Sequence, residues 1–140
     1  MPLQFDTVNY LAVLVAGVVV FFIGGVWYQA LFGKTWVKLH GYTQEDVQRM
    51  QKARPPVVFF GTMVAAYLVM CFAGALLVTA LDLRTVVAGM TLGGLLWLVV
   101  AAINMTAHIT TEKPIALYAI DTTYQFVIFL VAGAILASWR

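Results

Sequence analysis

Residues 10–32 read YLAVLVAGVVVFFIGGVWYQALF, and this stretch decides the fold class. It contains no Asp, Glu, Lys, Arg or His and exceeds the ~20 apolar residues that a helix needs to cross a bilayer. Near its end stand Trp27 and Tyr28, whose amphipathic rings suit a membrane interface. A secretory signal would instead open on a basic segment and close on a small-residue cleavage site. Residues 1–9 hold Asp6 and neither Lys nor Arg, so the run is expected to be a retained span.

Three more stretches of this kind follow, at about 57–81, 85–107 and 115–139. The first two carry no charge, and the last carries only Asp121. Lipid leaves helices and closed barrels as the only spanning structures. A barrel strand alternates apolar and polar residues, and Leu11–Ile23 shows no such alternation. The expectation is an all-α, polytopic membrane protein: one up-down bundle of four transmembrane helices within residues 1–140. Composition agrees, since 63% of the chain is hydrophobic and 10% charged, against roughly 25% charged in soluble domains. Cys71 is the single cysteine, which excludes an intramolecular disulfide and a paired-cysteine metal or redox motif.

The basic residues suggest an orientation. Lys34, Lys38, Arg49, Lys52 and Arg54 lie in the first connection, residues 33–56, and Lys113 lies in the third. Only Arg84 and Arg140 fall on the other side. The positive-inside rule then puts the first and third connections in the cytoplasm and both termini outside. Thr43-Gln44-Glu45-Asp46 has the form of a capping box, predicting a short helix over about 44–53 that Pro55 and Pro56 end.

Polar side chains inside a span are costly, so their positions carry information. Tyr28, Asn104 and Asp121 each lie about 19 residues, or ~28 Å, from the outer end of their spans, and Thr62 lies at nearly the same depth. The tight hairpin at Thr111–Pro114 sets Asn104 opposite Asp121. His108 and Gln125 sit one turn from Asn104 and Asp121. Gly94, Trp97, Ala101, Asn104 and His108 form one inward stripe, while Gly61 and Ala65 offer a small-xxx-small contact on the second span. Asp121, Asn104, His108, Tyr28, Gln125 and Thr62 are therefore the candidate ligand-binding or proton-titrating residues. The plainer alternative makes Asp121 interhelical glue, satisfied by Asn104, Tyr28 or Thr62.

Other chemistries find little support. Gly33-Lys34-Thr35 ends like a phosphate loop, but Tyr28 occupies the position of its first glycine and no strand precedes it. His40 and His108 are the only histidines, too few for a bis-histidine haem or a zinc set. Ser138 is the only serine and stands beside the outer end, which argues against a serine triad. No catalytic residue, cofactor, metal or nucleic acid is expected.

Asn9-Tyr10-Leu11-Ala12-Val13-Leu14-Val15-Ala16, then Gly25-Val26-Trp27-Tyr28, then Leu31-Phe32-Gly33-Lys34-Thr35-Trp36, resembles the membrane family called domain of unknown function 1761. The resemblance extends over nearly the whole chain, to the Asp121 region and Ala132-Gly133-Ala134. It implies a four-span bacterial protein, and with it a place in the bacterial inner membrane, and supplies no activity or site residue. The expected function is a small transport or ligand-binding component centred on Asp121. The alternative is a structural or assembly protein that binds partner helices. The expected partners are the lipid bilayer, a second copy in a homo-oligomer (most simply a dimer), and a small ligand or lipid.

Overall fold

Each long helix starts where a local signal permits it. Asn9 opens α1 (Tyr10–Gly25), its side chain accepting from the Ala12 N–H at 3.1 Å. A π-helical segment, Val26–Leu31, extends α1, and α2 (Gly33–His40) follows it. α2 ends at Gly41 with φ 72°, a left-handed residue, and with Gly41 N–H to Lys38 and Tyr42 N–H to Val37 closing a Schellman cap. The Thr43 capping box is present in full and starts α3 (Gln44–Ala53). Pro56 occupies the first turn of α4 (Pro56–Ala80), where a missing N–H costs nothing. Thr85 caps α5 (Val86–Ile109) through the Ala88 N–H at 3.2 Å, and Pro114 precedes α6 (Ile115–Ser138). These bounds come from a computed structural model describing residues 2–140.

Four helical stretches, Tyr10–Leu31, Pro56–Ala80, Val86–Ile109 and Ile115–Ser138, are long and apolar enough to cross a membrane. They form an all-α polytopic bundle in which α6 is the hub. Ala12, Val13, Ala16 and Val20 of α1 meet Cys71, Ala75 and Val78 of α4 and Tyr124, Ile128, Ala132 and Leu136 of α6 in one buried core. α5 stands outside that core and packs chiefly on α6. Their contact is backbone on backbone: a Cβ added at Gly89 would lie 2.0 Å from the Gly133 carbonyl oxygen, and one at Gly93 would lie 2.2 Å from that of Phe129. Close approach of this kind gives lipid-embedded helices the dispersion contacts that replace a hydrophobic driving force.

The connections gather at two ends. At one, the Asn9 side chain donates to the Trp139 carbonyl at 3.0 Å, and Asp82 pairs with Arg84 and Arg140 at 2.9 and 2.6 Å. Those two guanidiniums hold the Asp82 carboxyl below its ordinary range, the Arg140 hydrogen bond being the larger influence. At the other, Lys113 donates to the His40 carbonyl at 3.0 Å, tying the α5–α6 turn to α2. Six of the eight basic residues belong to this second end, called the connection end below.

Two local features depart from the sequence reading. Residues 10–32 do not form a single α-helix, because the last turns widen to the π pattern, with Phe32 N–H reaching the Trp27 carbonyl at 2.8 Å. Residues 33–40 of the connection are helical as well. Gly33 permits the junction, since a Cβ there would lie 2.1 Å from the Tyr28 carbonyl oxygen.

Candidate functional site

Asp121 is the one acidic residue in the four long helices, and α6 holds it half-buried towards the connection end. The Tyr28 hydroxyl donates to its Oδ1 at 2.5 Å and the Trp36 indole N–H to the same oxygen at 3.1 Å. The π segment carries Tyr28, and α2 carries Trp36 back over the end of the bundle. A π turn is rare and recurs at functional sites because it re-aims side chains that a regular helix would stagger differently. The two rings meet edge-on at 6.3 Å and 83°.

Around this clamp the polar side chains form a layer. Asn104 of α5 donates to the Gln125 side-chain oxygen at 2.7 Å. Trp97 Nε1 donates to the Thr122 carbonyl at 2.9 Å, and the Tyr118 hydroxyl to the Ala101 carbonyl at 2.9 Å. His108 stands 5.7 Å from the Tyr118 ring. The stripe from Gly94 to His108 thus faces α6. Asp121, Asn104, Gln125 and His108 line one cleft of about 350 Å³, with His40 and Lys113 on its wall. Neither clamp bond uses Oδ2 of Asp121, which leaves a hydrogen-bond acceptor beside the cleft.

His40 closes this cleft on the side of α2. Its ring stacks on Tyr42 at 4.9 Å and 6° and lies 4.0 Å from Trp36. Both ring nitrogens are buried without a partner. Burial, and after it the Lys113 ammonium, lower the His40 pKa, and Asp121 opposes them. Lys113 also sits 5.6 Å over the Tyr42 ring, within cation–π range.

Deeper in the bundle, the Tyr124 and Tyr67 hydroxyls pair at 2.6 Å, and Tyr124 meets the Tyr28 ring at 5.2 Å. Gly24 makes room for that pair, because a Cβ would stand 2.8 Å from the Tyr124 hydroxyl.

A family model described as "Protein of unknown function (DUF1761)" matches residues 11–137. The chain belongs to this family. No curated protein and no solved structure matches it. The DUF1761 match covers the elements that suggested the resemblance from Leu11 onward, and the structure gives several of them a physical role. Trp27-Tyr28 lies in the π segment, Gly33 relieves the junction, and Trp36 completes the carboxylate clamp.

Of the sequence candidates in this DUF1761 chain, Tyr28 touches Asp121, while Asn104, His108 and Gln125 share its cleft. Thr62 does not join them. It is exposed, and its hydroxyl donates to the Val58 carbonyl of its own helix at 2.7 Å. Depth placed it in the layer, but its direction around α4 points it away from α6. Gly61 and Ala65 are likewise exposed, and nothing lies within 4 Å of a Cβ added at Gly61. Sequence reading missed Trp36, His40 and the Tyr67–Tyr124 pair. The available signal was Trp36, an aromatic three residues past a helix-joining glycine. Among the described residues, no group of three His, Cys, Asp or Glu side chains could hold a metal ion.

Proposed function

We propose that the chain is a small membrane-embedded binding component with Asp121 as the recognition carboxylate. Its ligand is a polar solute that brings a cationic or N–H donor group to the cleft at the connection end. The supporting observation is the asymmetric clamp: Tyr28 and Trp36 both hold Oδ1, and the residue lines an open cleft with two carboxamides. An intramembrane carboxylate is expensive to keep and is a functional hypothesis by default. The six basic residues at the connection end support a cytoplasmic placement of that end and an outward placement of Asn9 and Asp82. The exposed Gly61 and Ala65 face supports a homo-oligomer through α4.

A second reading rests on the origin of the donors. Tyr28 and Trp36 come from the π segment and α2, so Asp121 also anchors the connection to α6. Thermal unfolding with methylammonium as the probe cation, against sodium at equal ionic strength, separates the two readings. A ligand that binds the folded state raises its stability. The binding reading expects methylammonium to stabilise the parent and to lose that effect in a folded Asp121→Asn variant. An equal response in both proteins leaves only the anchoring role.

A further inference from the structure

A second cleft lies on the far side of Tyr28 and Trp36 and does not depend on the Asp121 reading. Its volume is about 850 Å³, inside the range of roughly 300–1,000 Å³ typical of single-ligand sites. It forms where α1 and α4 part at the connection end, with α3 beside the gap. Phe21 of α1 and Phe59, Phe60 and Met63 of α4 line its membrane side. Phe59 and Phe60 are themselves half exposed, so this side opens toward lipid.

The other side has different chemistry. Gln44, Gln48 and Gln51 fall on one face of α3, at i, i+4 and i+7, and all three line the cleft. Gln29 and Lys34 join them. Among the lining residues Lys34 is the only charged one, and no carboxylate is present. The charged partners Asp46 and Arg49 of α3 pair with each other outside the cleft, at 2.7 Å. One ammonium and four carboxamides provide N–H donors without a competing anion, which suits phosphate oxygens.

Apolar walls on the lipid side and donors at the interface match the two halves of one amphiphile. We propose that this cleft binds a single phospholipid with an anionic headgroup. Its phosphate lies at Lys34 and the α3 glutamines, and an acyl chain runs past Phe60, Phe21 and Met63. The basic connection around it favours the same lipids by charge. A second copy of the chain fits less well, because helix–helix contacts in lipid use small residues rather than a glutamine-lined gap.

Gly25 supplies a clean way to fill the cleft. It lines the space, has ordinary right-handed helical geometry at φ −58°, and a Cβ there meets nothing within 4 Å. A side chain at position 25 therefore starts in open space on the wall of the cleft, and Gly25→Leu projects into the volume an occupant would fill. The test is native mass spectrometry of the full chain released from phosphatidylcholine nanodiscs containing a minor share of phosphatidylglycerol. The parent should retain one phosphatidylglycerol per chain, enriched over its share of the bilayer. Gly25→Leu should retain none, and Lys34→Gln should lose about fivefold in headgroup preference, the worth of one lysine beside an anionic surface. Should Gly25→Leu fail to fold, Gln48→Glu places a carboxylate against the phosphate and should abolish retention. Retention without headgroup preference, or retention unchanged in the folded variants, overturns the proposal. So does a dimer without retained lipid that Gly25→Leu dissociates.

Discussion

The two ends of the bundle are built on opposite rules. Toward Asp82 the helices meet through glycine, alanine and valine, with Gly89 and Gly133 in backbone contact and Ala16 and Val20 fully buried. Toward the connection they meet through hydroxyls, indoles, carboxamides and one carboxylate, and they part far enough to leave two clefts. The small-residue contact leaves only a gap of about 20 Å³ beside Gly93 and Gly133, so it fixes the helices but cannot host a ligand. A polar contact is directional and individually weak, so it can hold a carboxylate and still leave space beside it. The rigid end thus positions the open end, and substitutions in the two regions should fail in different ways.

The largest effect is expected at the rigid end. Gly133→Val drives a branched side chain into the Gly89 carbonyl, which a Cβ alone would approach to 2.1 Å. Overpacking costs typically about 1–3 kcal/mol and more where backbone blocks relaxation, so α5 should separate from α6 and the melting temperature should collapse. A Gly133→Val protein that melts like the parent would erase the contrast. Next comes Asp121→Leu, which strands the Tyr28 hydroxyl and the Trp36 N–H. Each orphaned donor costs about 1–3 kcal/mol, so denaturation in mild detergent should show a loss of a few kcal/mol, while Asp121→Asn loses clearly less.

Smaller effects sharpen the comparison. Acidification acts on the open end through His40. Its folded pKa lies below the ordinary 6.5, so the unfolded chain takes up a proton first as pH falls. Stability is full above 6.5 and declines as pH drops from there through the folded value. Melting followed by tryptophan fluorescence should show this decline, and His40→Gln should flatten it. Tyr67→Phe removes one hydroxyl pair and should cost ~0.6 kcal/mol, the mean for interhelical hydrogen bonds in membranes. Gly61→Ala should carry no cost, being neutral or stabilising by up to about 1 kcal/mol through helix propensity. A larger loss there, with a change of mass in mild detergent, would identify the Gly61 face as a contact between copies.

The sequence disclosed whatever depends on depth or on a local pattern. Apolar runs of spanning length, three of them uncharged, become the four long helices, and Thr43 with Asp46 becomes a real capping box. The i, i+3, i+4 spacing from Gly94 to His108 puts that stripe on α6, and Asp121 finds Tyr28. What stayed hidden depends on rotation about a helix axis and on tertiary support. Thr62 shares the depth of Asp121 yet faces outward. A π turn shifts every later side chain, so Trp36 could not be aimed from a regular helix. His40 looked like a connection residue because nothing in sequence showed Tyr42 and Trp36 closing on its ring.

Whether water and solutes reach Asp121 is the question on which the functional reading turns. With buried Cys71 replaced by Ala, single Asp121→Cys, Thr122→Cys and Thr62→Cys proteins in lipid vesicles can be treated with a small water-soluble thiol reagent. Thr122 is buried on the wall of the same cleft and Thr62 is exposed on α4, so they give the rates of a buried and of an exposed thiol. The account predicts that the thiol at position 121 is modified fastest of the three. A thiol at position 121 as inert as the one at 122 would mean a closed site, and would contradict the proposal that this carboxylate meets a ligand.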